Sequence, residues 1–172
     1  MQKLIVKDGV EFCLNWPEVP ADIQAQTIDL WKNHNALPTN LDIDERAQQA
    51  IALARDIETG MPLGVATVRL EPFDWMGGEM FRYRTFAVRD ARLRSIGVQM
   101  VNYVFELLAE FRLKTGQGLG LYMKIENRQL MLHQTEGTWF VSPCSYIGLT
   151  PEGWRKRVRY FAHARLSNSS LE

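Results

Sequence analysis

Apolar and polar positions change period several times along the chain, and each change predicts an element. "KLIVKDGVEFCLNW" alternates on either side of Lys7-Asp8-Gly9, which predicts a strand or a short hairpin. After Pro17 and Pro20, Ile23, Thr27, Leu30 and Trp31 recur at helical spacing within "ADIQAQTIDLWKNH". "LDIDERAQQAIALARDI" carries both periods and divides into a helical part up to about Gln49 and a strand from Ala50. Apolar-rich runs on both sides of "ETGMP" predict an antiparallel hairpin whose second strand runs to Glu71. "PFDWMGGEM" interrupts the pattern before "FRYRTFAV" resumes it as a strand. From Gly97, residues Val101, Val104, Phe105, Leu108 and Phe111 mark an amphipathic helix ending near Gly116. "GLGLYMKI" returns to strand, a short helix or turn opens at Asn127, and "SYIGLTPEGWRKRVRYFAHARL" forms two strands about Pro151-Glu152-Gly153. The order β, α, α, β-hairpin, β, α, β, α, β-hairpin is that of one mixed α/β domain.

Composition narrows the partners. With 172 residues, 46% of them hydrophobic and 23% charged, the chain can bury a core of its own. Lys+Arg and Asp+Glu each total 20, so no global charge draws it to nucleic acid or an anionic membrane. Cys13 and Cys144 are far apart and lack a histidine cluster, which argues against a disulfide framework and against a metal site. A reducing cytoplasm is the simplest expectation, because no window approaches the roughly 18 apolar residues of a membrane span and the start has no signal-peptide character. Leu171 and Glu172 read as a cloning remnant, leaving residues 1–170 as the expected domain.

The chemistry gathers at "VRDARLRSIGVQM", where a strand hands over to a helix through three arginines and Gly97. The first turn of a helix has N–H groups without intrahelical partners, glycine lets a phosphate approach the backbone, and Arg92 or Arg94 can neutralise a diphosphate. The bland alternative is that Gly97 eases helix packing and the arginines are solvated.

This joint, with the element order, the hairpin "ETGMPLGVA", the strand "RTFAV" and the segment "IENRQLML", resembles the GNAT superfamily of acyl-coenzyme A-dependent N-acyltransferases over nearly the whole chain. The resemblance implies a central mixed, mostly antiparallel twisted sheet with helices on both faces. It implies acetyl-coenzyme A as co-substrate, no metal, and a small-molecule or peptide amine as acceptor, with a homodimer left open. In the family the joint reads R/Q-x-x-G-x-G/A and holds the pyrophosphate through backbone amides. Arg94, Gly97 and Gln99 fall on those positions, Gln99 standing where the family has a small residue. Arg92, Ser95, Ile96 and Val98 complete the expected loop, Phe86, Ala87 and Val88 are expected at the thioester, and Asn127 near the cofactor.

Transfer to an amine needs a proton acceptor and often a donor for the leaving thiolate. Many family members carry a tyrosine seven residues after the position of Asn127; here that residue is Gln134, beside His133. His133, Tyr122 and Glu79 are therefore the candidate acid–base residues, with Tyr146 and Glu71 as alternatives. Neither cysteine falls at a recognised nucleophile position, so direct attack without an enzyme-bound intermediate is expected. Two other readings stay open: a GNAT-like module that binds coenzyme A or a partner without catalysis, and an acyl-homoserine-lactone-synthase-like enzyme. The loop at Phe73–Trp75 reads first as a connector, "WRKRVR" as one solvated strand face, and "LDIDER" as a charged first helical turn.

Overall fold

The computed structural model describes residues 1–73, 78–89, 95–133 and 135–165, the side chain of His133 excepted. Among the described residues, eight strands and four helices follow the predicted order: β1 (Gln2–Lys7), β2 (Val10–Asn15), α1 (Ala21–Asn33), α2 (Ile43–Ala47), β3 (Ala50–Asp56), β4 (Pro62–Phe73), β5 (Gly78–Ala87), α3 (Ile96–Thr115), β6 (Gly120–Ile125), α4 (Arg128–His133), β7 (Ser145–Leu149) and β8 (Arg155–Tyr160). They form one sheet in the order β1-β2-β3-β4-β5-β6-β8-β7. The β5–β6 pair is parallel, while β1–β2, β2–β3, β3–β4, β6–β8 and β7–β8 are antiparallel. The first run is thus a full hairpin, with Asp8 at φ 52° and Gly9 at φ 73°, the left-handed pair that a tight hairpin turn demands. β4 extends to Phe73, beyond the expected end at Glu71, and Glu79 lies inside β5 instead of in the loop before it. No helix among the described residues is long and apolar enough to cross a membrane.

The chain divides into two compact units. The first comprises Met1–Val68 and Thr85–Leu107. Its core shows why the first strands are so apolar: all five residues from Ala50 to Leu53 and Ala54 are fully buried, because helices cover both faces. On one face Cys13, Leu53 and Val65 pack with Ile23, Leu30 and Trp31 of α1. On the other, Phe12 meets the Tyr103 ring of α3 edge-on at 5.1 Å. Adjacent residues of β2 thus serve opposite layers, as the period of two requires. Burying side chains such as Phe12, Leu53 and Trp31 contributes about 1.5–3 kcal/mol each.

The second unit comprises Arg69–Arg84 and Leu108–Glu172. Phe81 packs edge-on to Phe111 and Phe161 at 6.3 and 6.2 Å. A Cβ at Gly118 (φ 73°) would lie 2.2 Å from the Phe81 ring, so both the turn and the contact require glycine. α3 ends where Gly116 turns left-handed (φ 76°) and donates its N–H to the Arg112 carbonyl at 2.7 Å. A buried Arg157 organises the segment after α4. It donates to the carbonyls of Gly137 at 3.3 Å, Cys144 at 2.9 Å and Glu136 at 2.6 Å, and lies 4.3 Å from the Trp139 ring centroid. The residue expected on a solvated strand face is therefore 1% exposed.

Candidate functional site

In the first unit the end of β5 and the start of α3 carry the expected loop. Phe86 is half-buried against the α1 cluster, Ala87 is buried, and the Val88 N–H is occupied by the Leu63 carbonyl at 2.9 Å. Gly64 of β4 makes room for this end of β5, since a Cβ there would lie 2.9 Å from the Phe86 carbonyl oxygen. Arg92 and Arg94 lie outside the described residues. Ser95 adopts φ 55° and its carbonyl accepts from the N–H groups of Val98 (3.0 Å) and Gln99 (3.1 Å), which starts α3. The N–H groups of Ile96 and Gly97 precede that ladder. Ile96 is fully buried and anchors the turn, whereas Val98 and Gln99 are half-buried.

Gly97 bears on both readings of the joint. A Cβ built on it meets nothing within 4 Å among the described residues, and its φ is not left-handed. Neither the packing of the described residues nor the backbone geometry calls for glycine there. Among the described residues the first turn of α3 contains no acidic side chain.

In the second unit, Tyr122 of β6 is 7% exposed and packs against Phe73, the ring centroids 4.7 Å apart and the planes tilted by 53°. It stands in register with Arg82 of β5, and Arg82 pairs with Glu71 of β4 at 3.4 Å. Glu71 is shared with Arg69 at 3.3 Å. Burial pushes the Tyr122 phenol above its usual range, and Glu71 and Glu126 add to the rise while Arg82 and Arg84 oppose it. The phenol therefore keeps its proton through neutral pH and suits a donor better than an acceptor. Burial also lowers the half-buried Arg84, against the pull of Glu126 and Tyr122. Glu79 is exposed, and its backbone carbonyl accepts from the Leu119 N–H at 2.8 Å. Asn127 caps α4: its Oδ1 accepts from the N–H groups of Gln129 (2.9 Å) and Leu130 (3.3 Å). His133 is the last residue of α4, its side chain outside the described residues as is Gln134. Tyr146 is half-exposed on β7, in register with Arg157. Among the described residues no three His, Cys, Asp or Glu side chains gather as metal ligands.

No family model matches the sequence, and no curated protein matches it. Solved structures do. The chain superposes on the ribosomal-protein-S5-alanine acetyltransferase from Vibrio fischeri with a TM-score of 0.60 at 6% identity, covering 95% of this chain and 99% of that one. The chain has the GNAT fold. A bacterial toxin matches with a TM-score of 0.60 at 14% identity over 90% of this chain and 92% of its own. A mutant of the toxin AtaT, bound to the C-terminus of the antitoxin AtaR and acetyl-CoA, matches with a TM-score of 0.54 at 13% identity, covering 90% and 94%. These identities establish the architecture, and the residues must carry the chemistry.

Sequence reasoning missed the guanidinium groups beside Tyr122. The alternation in "FRYRTF" puts Arg82 and Arg84 on one strand face, but only the register of β5 with β6 brings them to the phenol.

Proposed function

We propose that this protein is an N-acyltransferase that moves an acetyl or other short acyl group from coenzyme A to a primary amine. The observation that carries the reading is the open backbone surface at Gly97, at the N-terminus of a helix whose first turn has no acid, within a GNAT fold. The N–H groups of Ile96 and Gly97 are assigned to the pyrophosphate, with Arg92 and Arg94 countering its charge, and Ser95, Val98 and Gln99 completing the loop. Phe86 and Ala87 are assigned to the acyl end and Asn127 to the cofactor through its amide N–H₂, its oxygen being occupied by the cap. When bound, acetyl-coenzyme A supplies an activated thioester.

The protein's own part is proton management. The acceptor amine must lose a proton as its nitrogen bonds to the acyl carbon, and the departing sulfur must gain one. Tyr122, protonated at neutral pH, is assigned as the donor to sulfur, and Glu79 or His133 as the acceptor of the amine's proton. The Vibrio protein named above acts on a ribosomal protein, which makes peptide amines a natural first panel beside small ones.

Calorimetric titration with coenzyme A, followed by free-thiol release from acetyl-CoA across small and peptide amines, tests the proposal. Binding with transfer supports it. Absence of binding removes the donor site, and binding without transfer to any amine favours the non-catalytic module.

A further inference from the structure

The sheet face that carries Tyr122 is unusually cationic for a half-buried surface. On β5, Arg82 and Arg84 are two residues apart and share this face. On β6, Tyr122 stands beside Arg82, and Lys124 follows on the same side. On β8, Lys156 lies directly opposite Lys124. Like charges directly opposite on neighbouring strands are destabilising unless their neighbours relieve them, and Glu152 interacts with Lys124.

The described carboxylates balance this face only in part. Glu71 is taken by both Arg69 and Arg82, and Glu152 interacts with Lys124. Arg84 feels Glu126 and Tyr122 electrostatically, yet makes no hydrogen bond or close ion pair with another described residue. A half-buried guanidinium that burial disfavours, with its fork unengaged by the described residues, gains most from an anion that completes it.

We propose that Arg84 binds a carboxylate of the acceptor, so that the preferred amine substrate bears a carboxylate, with Lys124 and Lys156 supplying supporting charge. The planar fork of arginine favours a planar carboxylate held by two parallel hydrogen bonds, whereas a phosphate would be served equally by the exposed lysines elsewhere. This proposal rests on the acyltransferase reading for the word acceptor, but the anion site itself is testable apart from transfer.

The probe is glutarate, titrated by calorimetry at constant ionic strength into the protein saturated with coenzyme A, with inorganic phosphate as the competing anion. Glutarate binding is expected to weaken about tenfold in Arg84→Ala and less in Arg84→Lys, the size of a lost charge-assisted hydrogen-bond pair. Glu126→Gln, which removes the neighbouring native carboxylate from an exposed position, is expected to tighten glutarate. Coenzyme A affinity should stay unchanged in all three variants, which separates failure here from failure of the acyltransferase reading. In transfer assays 4-aminobutyrate should outperform both butylamine and 2-aminoethyl phosphate, and lose that lead in Arg84→Ala. No glutarate binding, equal binding in Arg84→Ala, weaker binding in Glu126→Gln, or phosphate bound more tightly than glutarate would each overturn the proposal.

Discussion

The joint ahead of α3 and the charged face of β5 and β6 are built from different materials. The joint presents main-chain N–H groups, a glycine whose Cβ would meet none of the described residues within 4 Å, and a buried Ile96 as anchor. The face presents side chains from three strands, Glu71, Arg82 and Tyr122, whose meeting depends on register. A backbone site tolerates changed neighbours but not an added side chain. A side-chain site fails when any one group is shortened, and its supports fail with it.

The strongest test of this contrast is Arg157, which shapes the second unit from within. Arg157→Ala leaves buried carbonyls at Cys144 and Gly137 without their charged donor and strips the Trp139 ring of its cation. It is expected to destabilise folding by about 3 kcal/mol, with Arg157→Lys costing less because a single ammonium replaces part of the fork. Urea melts read at Cm measure this. A loss below about 0.5 kcal/mol, the scale of a surface change, would show that the segment is held by other contacts.

Gly97→Glu should give the opposite signature. The new side chain enters open space at a helix N-terminus, where a carboxylate suits the dipole, so the melting temperature should hold or rise slightly. Coenzyme A affinity should fall about a hundredfold or more, since a carboxylate then confronts a diphosphate. Normal affinity in Gly97→Glu would move the pyrophosphate elsewhere.

These two residues also show what the sequence could and could not reveal. Periodicity located the hairpins, both long helices and the break at Ala50, because burial of one face or both leaves its mark on neighbouring positions. The joint could be proposed for a related reason: its residues are contiguous. Arg157 was not, because "WRKRVR" alternates like a solvated strand, and nothing in the string says that carbonyls from Glu136 to Cys144 wrap around it. The Tyr122 neighbourhood was half-readable, since Tyr122 could be named but its partners came from β4 and β5. Gln99 and Asn127 were read through resemblance, and only the structure shows that the Asn127 oxygen already caps a helix.

Tyr122→Phe sharpens the contrast at smaller amplitude. Phenylalanine keeps the ring contact with Phe73, so the change isolates the hydroxyl. Turnover should fall by about ten- to a hundredfold with coenzyme A affinity unchanged, the range for a lost general acid. Stability carries a second readout. Burial raises the phenol's pKa in the native state, so between the usual phenol range and that raised value the unfolded chain has released a proton that the native one still holds. Stability then falls as pH climbs through this alkaline window and is intact below it. Tyr122→Phe should remove that part of the alkaline loss; an unchanged pH profile of stability would mean the phenol is better solvated than its 7% exposure implies.

The smallest effect belongs to Asn127, where both kinds of site meet in one side chain. Its Oδ1 accepts from two N–H groups at the start of α4, and its Nδ2 remains for a ligand. Asn127→Ala removes both functions and should cost about 1 kcal/mol of stability, the usual worth of an N-cap. Asn127→Asp separates them: the carboxylate preserves the cap and suits the helix dipole, so stability should return to the parent value. The same substitution deletes the amide donor and sets a negative charge where a diphosphate-bearing ligand is assigned, so coenzyme A affinity should drop by about tenfold. An Asp variant with parental stability and parental affinity would confine Asn127 to capping, and leave the donor site to the backbone of the joint.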